Sequence, residues 1–315
     1  MAKSSKIDVV GVGLNATDTL IPLAHYPACG SKVEIRSANV MLGGQTASAL
    51  VACQHWGLHT RYVGKVGEDS AADLHRAEFA RCGVEAHLFT ALGCSSQQAF
   101  ILVDETGERT VLWKRDERLT LRSEELQRDW IVEARSLHLD GHDTAAATAA
   151  AGWARAAGVP VIADLDELYP GVEALLKNID YLIASKDIPG RLMGENDLRK
   201  SLPALQRRFG CRLTAATLGH DGVLAWDGVK FHYAAAYLVE TVDTTGAGDI
   251  FHAGFIYGLL RGWPLPHQLD FACAAAALNC TAIGARSAIK SLETIQHLMA
   301  TGTRHTPAHD LSDVP

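Results

Sequence analysis

The sequence lacks the features that mark secreted, membrane-spanning or nucleic-acid-binding proteins. Its seven cysteines form no C-x-x-C pair, so we expect reduced thiols, no zinc site and a cytoplasmic location. No apolar run reaches the roughly 18 residues of a membrane span. The short polar start before Ile7 does not resemble a signal peptide. No long lysine or arginine run is present and the formal net charge is -7, so no nucleic-acid partner is expected.

Two common nucleotide-binding motifs are also missing. No G-x-x-x-x-G-K-[ST] run occurs, which excludes a P-loop. Gly11-Val12-Gly13 ends an apolar strand but has no third glycine at the Rossmann spacing. If the chain binds a nucleotide, it does so through neither motif.

What the chain does contain is an alternation of short apolar strands and helices along 315 residues. Such alternation implies right-handed crossovers and a mostly parallel sheet, and therefore an α/β fold. We predict one domain over residues 1–300 and a flexible tail over 301–315. The predicted strands are 7–13, 61–66, 136–140, 159–163, 181–184 and 213–217, with a hairpin at 222–233, and the predicted helices are 47–56, 70–81, 144–157, 198–209, 248–261, 266–283 and 291–299.

One hairpin does not fit this alternation. Residues 97–103 and 109–113 are two β-like runs around a polar loop that contains Gly107. We expect them to stand off the main sheet together with short β-like pieces before Val40. The sequence therefore predicts a small lid, with strands from about 19–42 and 97–115.

The stretch from Val242 to Phe255 carries the strongest chemical signal. Gly246 and Gly248 lack a Cβ and precede an apolar run with helical spacing, so the chain can approach a ligand closely at a helix N-terminus. Such a terminus has unpaired N–H groups and a partial positive charge, and it suits an anion. Asp249 follows directly. A carboxylate beside a phosphate cradle is typical of a small-molecule kinase, in which it accepts a proton from the attacking hydroxyl.

These residues resemble a known family. The run Asp243–Phe251 is similar to the second signature of the PfkB (ribokinase-like) carbohydrate kinases, and Gly43-Gly44 with the run 64–69 is similar to the first. The likeness covers about residues 5–300 and is nearest to ketose-type members such as fructokinase, ketohexokinase and sulfofructose kinase. It implies a three-layer α/β/α sandwich with a β-lid. It also implies ATP-dependent phosphorylation of a sugar hydroxymethyl group.

The resemblance assigns the catalytic residues. Asp249 would be the general base, and the N–H groups of Gly246, Ala247 and Gly248 would stabilise the charge on the phosphoryl oxygens. The alternative for Asp249 is an ordinary aspartate at a helix start, where the helix dipole favours a negative charge.

The resemblance also assigns a sugar side. There Asp18 would grip hydroxyls, and loop capping is the alternative. Ser48 stands where the family usually has asparagine, which leaves the identity of the sugar open. Asp140 and His142 end a strand, and we favour a polar wall of the pocket over a metal site. The full predicted set is Asp18, Asn15, Gly43, Gly44, Ser48 and Asp140.

The nucleotide side departs from the family pattern. Thr217, Gly219 and Gly222 resemble the turn that lies along the ATP phosphates and ribose, and Asn279 resembles a residue beside the adenine. Where the family carries N-x-x-E for Mg²⁺, this chain has Ser185-Lys186-Asp187-Ile188. Asp187 could replace the missing carboxylate, or Lys186 could meet a phosphate. The resemblance further allows a K⁺ ion at Asp243, Thr245, Ala282 and Gly284.

Our functional hypothesis is an ATP-dependent sugar kinase that uses ATP and Mg²⁺ and acts on a ketose or ribose. No arginine is visible near Asp140, so we expect a neutral sugar. A nucleoside kinase of the same fold and a non-catalytic sugar- or nucleotide-binding regulator stay open. Lone lid strands need a partner, and we expect a homodimer through the lid.

Overall fold

The structure is a computed structural model that describes residues 7–105 and 109–306. The strands are β1 Val9–Val12, β2 Ala16–Pro22, β3 Asn39–Gly43, β4 Thr60–Val66, β5 Glu85–Thr90, β6 Gln98–Val103, β7 Arg109–Lys114, β8 Ser136–Leu139, β9 Val161–Leu165, β10 Tyr181–Ser185, β11 Leu213–Thr217, β12 Val223–Trp226 and β13 Phe231–Ala234. The helices are α1 Gln45–His55, α2 Ser70–Cys82, α3 Arg128–Val132, α4 Thr144–Ala156, α5 Val172–Leu176, α6 Ile188–Met193, α7 Leu198–Phe209, α8 Ala247–Leu260, α9 Leu265–Asn279 and α10 Leu292–Thr301.

Within the described residues, the main sheet has nine strands in the order β13-β12-β11-β10-β9-β8-β1-β4-β5. The pairs from β11 to β5 are parallel, and β12 and β13 close one edge as an antiparallel hairpin. The predicted mostly parallel α/β sheet is confirmed.

Alternation along the central strands sends apolar side chains to both faces of this sheet. Val9 packs into a core with α1, α2, α8, α9 and α10, whereas Val10 and Val12 pack into a core with α3 to α7. Ile183 and its neighbour Leu182 divide in the same way. Helices therefore cover both faces, and the predicted three layers are confirmed. None of the described helices combines the length and apolar character that a membrane crossing requires.

The lid is a separate sheet of four strands, counted over the described residues, in the order β3-β2-β6-β7. Its cross-strand rows alternate between two faces. One row is Met41, Asp18, Ala99 and Trp113, and the next is Val40, Thr19, Phe100 and Leu112. The second row is largely exposed, because Val40, Phe100 and Leu112 are 61%, 45% and 56% accessible.

The structure differs from the sequence predictions in several boundaries. Residues 23–38 form no strand, so the lid is built from fewer residues than the range 19–42 suggested. Strand β5 was not predicted, because its sequence EAHLFT is half exposed at the sheet edge and has no clear apolar period. Helix α9 ends at Asn279 rather than at 283.

The predicted C-terminal tail differs from the structure where it is described. Thr303 and His305 hydrogen-bond to the backbone of Leu238 and Ala236, and Arg304 donates to Asp270. Residues 302–306 therefore lie against the body of the protein. The remainder of the predicted tail, 307–315, is outside the described residues.

Helices α8 and α9 pack closely at Gly254. A Cβ at this position would lie 2.7 Å from the Ala272 Cα, which is backbone and cannot rotate away. We expect Gly254→Val to lower the free energy of unfolding by about 1–3 kcal/mol, as overpacking does.

Urea unfolding monitored by circular dichroism measures this change. Gly152→Ala on α4 is the matched control, because a Cβ at Gly152 meets nothing within 4 Å and alanine favours a helix. Equal stability of Gly254→Val and wild type would contradict the close packing.

Candidate functional site

A cleft of about 240 Å³ lies at the carboxyl ends of the parallel strands, under the lid. Its walls come from the loops after β1, β8 and β9, from the last residues of β10 and β11, from the start of α8 and from the inner face of the lid. Open α/β sheets bind ligands at this edge. The predicted residues that line it are Asp18, Gly44, Ser185, Thr217, Thr245, Gly246, Gly248 and Asp249.

The turn before α8 is fixed by backbone packing. Gly246 has φ +77°, and a Cβ there would lie 2.2 Å from the Ala285 carbonyl oxygen, so a glycine is required. Helix α8 begins at Ala247, whose N–H donates to the Thr244 carbonyl. Of the three amides predicted to hold an anion, those of Gly246 and Gly248 are therefore the better placed, because both residues line the cleft.

Asp243 holds this turn against the segment that follows α9. Its carboxylate accepts hydrogen bonds from the Thr245 N–H and Oγ1 at 2.9 and 2.7 Å and from the Gly284 N–H at 2.8 Å. Asn279 supports the same contact by donating to the carbonyls of Thr245 and Ala285. The side chain of Asn279 is fully buried. This differs from the prediction, which placed Asn279 beside the adenine of ATP.

Asp249 lies in the first turn of α8, half-buried and open to the cleft. Burial raises its pKa to about 6, and the nearby Asp166 adds to the rise, while Arg109 opposes it. The Ser48 hydroxyl also favours the charged carboxylate, although it makes no hydrogen bond of ordinary geometry. A carboxylate with this pKa is mostly charged at neutral pH and can still take up a proton.

Asp18 faces the same space from lid strand β2. A Cβ on Gly43 would lie 2.0 Å from its Oδ2, so Gly43 leaves the room that this carboxylate occupies. Gly44 has φ +95° and packs against the backbone of Asn15. Burial, followed by the charge of Asp249, raises the pKa of Asp18 to about 7. The glycine pair thus shapes the site without a side chain of its own.

Three predicted sugar contacts lie behind the cleft wall instead. Asp140 is buried and accepts hydrogen bonds from the Leu14 N–H, the Thr46 hydroxyl and the His142 N–H. Asn15 donates to the Tyr62 hydroxyl and the Lys65 carbonyl. Ser48 is fully buried in α1. The polar atoms of Asp140 and Asn15 hold the loop after β1 in place, whereas the Ser48 hydroxyl has no hydrogen-bond partner among the described residues. This placement differs from the prediction that the three side chains touch a substrate.

The nucleotide side is only partly assembled from the predicted residues. Ser185 and Thr217 line the cleft, whereas Lys186 is exposed outside it. Asp187 pairs with Arg191 at 3.3 Å. Gly219 begins a 3-10 turn, and Gly222 is required because a Cβ there would lie 2.0 Å from the Ala234 carbonyl oxygen.

The structure adds three charged residues that sequence reasoning missed. Asp164 lies near the end of β9 and Asp166 follows that strand; both line the cleft, and burial raises the pKa of both carboxyls. The D-x-D spacing at the end of a buried strand was the available signal. Arg109 lines the cleft from lid strand β7 and donates to the carbonyl and hydroxyl of Thr244. The expectation that no arginine lies near the sugar site is therefore wrong. The sequence alone could not place Arg109, because its position in the cleft depends on how the lid strands pair.

Among the described residues, no group of three or more His, Cys, Asp or Glu side chains is arranged to hold a metal ion. Mg²⁺ needs no such cage, because in phosphoryl-transfer sites it is held by one or two carboxylates, water and substrate phosphates. Asp164 and Asp166 fit that role as carboxylates that line the cleft, where the Gln45 side chain hydrogen-bonds to both and the His252 Nδ1 lies 3.3 Å from Asp164. Asp243, Thr245 and Gly284 do come together, with Ala282 in the same loop, and Asp243 keeps lone-pair capacity beyond its three hydrogen bonds.

Comparisons with known proteins agree with this geometry. Residues 9–292 match the family described as pfkB family carbohydrate kinase. The chain is 27% identical to an ATP-dependent ribose-1-phosphate kinase of Halopiger xanaduensis, over 90% of this chain and 95% of that protein. It is 30% identical to the fructoselysine 6-kinase of Escherichia coli, over 75% and 89%. A ribokinase of Arabidopsis thaliana, solved with ribose and ATP, superposes with a TM-score of 0.80 at 22% identity, covering 94% of this chain and 100% of that one. The predicted ribokinase-like fold is confirmed.

Arg109 and Asp249 both line the cleft, and the effect of the Arg109 charge on the pKa of Asp249 can be measured by titration. Because Arg109 lowers the pKa of Asp249, we expect Arg109→Gln to raise that pKa above its value of about 6. Carboxyl-carbon NMR of the free protein measures it, with Asp249→Asn used to assign the signal.

Lys114→Gln is the matched control. It removes a positive charge from the same strand, but Lys114 alternates to the face that does not line the cleft. An Asp249 pKa that is the same in Arg109→Gln and wild type would show that the two groups do not face each other in solution.

Proposed function

The chain belongs to the PfkB family of carbohydrate kinases, and from this we propose that it transfers the γ-phosphoryl group of ATP to a hydroxymethyl group of a sugar. The family and the names of its relatives make it an ATP-dependent sugar kinase, a phosphotransferase with an alcohol acceptor. One observation carries the assignment of roles. Asp249 opens onto the cleft beside Gly246 and Gly248, and Asp18 faces it from the lid.

In the proposed reaction, Asp18 binds sugar hydroxyls and Asp249 orients the acceptor hydroxyl. The acceptor oxygen forms a bond to the γ-phosphorus while the bond from that phosphorus to the β–γ bridging oxygen breaks and ADP leaves. The hydroxyl proton passes to Asp249, whose pKa of about 6 suits a base at neutral pH. The transition state spreads charge over the phosphoryl oxygens, and the N–H groups of Gly246 and Gly248 stabilise it.

Arg109 supplies positive charge at the transferred phosphoryl group, and a metal bound with ATP would add to it. Arg109 is tied to Thr244, directly before the anion turn, so it can bind the transferred group from the lid side. Asp164 and Asp166 would hold Mg²⁺, which neutralises phosphate charge when bound. They replace the family's missing Asn and Glu in our assignment, with Ser185 and Thr217 along the nucleotide. K⁺ would lie at Asp243 and the carbonyls near Ala282 and Gly284, as an ion that supports the turn.

We further propose a cytoplasmic location. Each of the seven cysteines is a free thiol in the described chain, which agrees with a cytoplasmic location.

The outer face of the lid exposes the apolar row Val40, Phe100 and Leu112, and a second lid would cover it. We therefore propose a homodimer through the lid.

The test of the proposed function is ADP formation from ATP and Mg²⁺ across a panel of ketoses, ribose and nucleosides. We expect Asp249→Asn to lower kcat by on the order of 100-fold or more, with a smaller change in KM, because the base acts on the reacting hydroxyl. Asp73→Asn is the matched control, since Asp73 is also a first-turn helix aspartate but lies outside the cleft.

Unchanged turnover in Asp249→Asn would remove Asp249 from the base role. Saturable sugar binding with no ADP from any acceptor would favour the regulator instead of the kinase.

The lid interface is tested by Leu112→Glu, which places a charge in the exposed apolar row. We expect light scattering at micromolar concentration to give the mass of a dimer for wild type and of a monomer for this variant. Val229→Glu is the control, because Val229 is 85% exposed on the β12–β13 hairpin, away from the lid. A monomeric wild type would contradict the proposed dimer.

A further inference from the structure

Three aromatic rings line one end of the cleft, and the proposed mechanism uses none of them. Trp113 comes from lid strand β7, His142 from the loop after β8 and Tyr169 from the loop after β9. The ring of His142 stands edge-on between the other two, with centroids 6.2 Å from Trp113 and 4.6 Å from Tyr169. We call Trp113, His142 and Tyr169 the aromatic wall.

The register of the lid places this wall relative to the sugar subsite. Asp18 pairs with Ala99, and Ala99 pairs with Trp113, so all three side chains share the cleft face of the lid. Strands are spaced by about 4.8 Å, which puts Trp113 roughly 10 Å from Asp18 across the sheet. Ala99 between them leaves the space open. A ligand gripped by Asp18 can therefore extend past Ala99 and reach Trp113.

The exposure of Trp113 indicates a ligand rather than a core role. Its side chain is 58% accessible although it faces the cleft. A large apolar ring left open to water on the inside of a lid is what a binding site for another ring requires. Val111 and Ile101 extend the apolar surface on the same face.

The polar groups of the wall suit the edge of a neutral heterocycle. Burial lowers the pKa of His142 to about 4, so its imidazole is uncharged at neutral pH and offers one donor and one acceptor. Its Nδ1 is buried and has no hydrogen-bond partner among the described residues. A ring nitrogen or exocyclic group of a ligand could satisfy it.

The charge of the cleft argues against an anionic extension. Asp18, Asp164, Asp166 and Asp249 line it, and among the described lining residues only Arg109 carries a full positive charge. Arg109 already contacts Thr244 beside the phosphoryl-transfer turn, away from the aromatic wall. Arg115 lies near His142 and Tyr169, but it is already paired with Asp143 at 2.8 Å. A sugar that carries a phosphate toward Trp113 would therefore meet carboxylates, and the cation on that side already has a partner.

We propose that the acceptor is a sugar with a planar aromatic substituent, of the N-glycoside or nucleoside class, whose base packs on the aromatic wall. This rests on the proposed function, because the sugar part occupies the subsite of Asp18 and Asp249. The base stacks on Trp113 and presents its polar edge to His142. The aromatic wall thus selects the acceptor, and Asp249 acts on its hydroxymethyl group.

The experiment compares acceptors that share one sugar. Adenosine, inosine and cytidine are set against ribose, methyl riboside, ribose-1-phosphate and fructoselysine. We expect the wild-type kcat/KM to favour at least one nucleoside over ribose and methyl riboside. Stacking on an aromatic side chain predicts that Trp113→Ala lowers kcat/KM for that nucleoside on the order of 10-fold, with little change for ribose.

Two variants control for other causes of lost activity. Trp113→Phe keeps a ring and should retain most of the nucleoside preference. Leu92→Ala truncates an apolar side chain that is 72% exposed and lies outside the cleft, so it should change neither substrate. Calorimetric titration of the same nucleoside without ATP gives a readout independent of turnover, and Trp113→Ala should weaken it by a similar factor.

The outcomes separate this inference from the proposed function. Two results would overturn the inference and leave the kinase in place. The first is a higher kcat/KM for ribose, methyl riboside, ribose-1-phosphate or fructoselysine than for any nucleoside. The second is an equal loss of kcat/KM in Trp113→Ala for the nucleoside and for ribose. Nucleoside binding that depends on Trp113 without ADP formation from any acceptor supports the aromatic wall and overturns the kinase.

Discussion

The buried carboxylate of Asp243 is the contact on which the rest of the site depends. By accepting from Thr245 and from Gly284, it joins the turn before α8 to the segment after α9. This contact brings Gly246 so close to the Ala285 carbonyl that no side chain fits at position 246. This packing sets where α8 begins, and hence the direction of Asp249. The proposed phosphate cradle and the proposed base thus share one support.

The cleft also concentrates negative charge that the free protein does not neutralise. The pKa values of Asp249 and Asp18 rise to about 6 and about 7, from an ordinary 3.8. Their neutral forms therefore favour folding, and this contribution is present below about pH 4 and lost as the pH rises through 6 and 7. Arg109 offsets part of this loss, because its charge lowers the pKa of both carboxyls. Asp18 and Arg109 both come from the lid, on β2 and β7.

Sequence reasoning found the parts of this site that are local in the chain. The helix start at 246–249 and the glycine pair at 43–44 are recognisable, because turn chemistry and Cβ clashes act between near neighbours. It could not find Arg109, whose place follows from how β7 pairs in the lid. It assigned Asp140 to the substrate because a strand-end carboxylate appears free in a sequence, whereas backbone and hydroxyl donors 94 and 126 residues away occupy it in the fold. The α/β class was predictable from alternation, but the edge strand β5 was not, since half exposure blurs its pattern.

The most direct test of the central claim is a crystal structure of the protein with an acceptor sugar, Mg²⁺ and a non-hydrolysable ATP analogue. Our account predicts the hydroxymethyl oxygen within hydrogen-bond reach of the Asp249 carboxylate, about 2.6–3.2 Å. It also predicts that oxygens of the γ-phosphate accept from the N–H groups of Gly246 and Gly248. An acceptor oxygen remote from Asp249, or a γ-phosphate bound away from this turn, would contradict it.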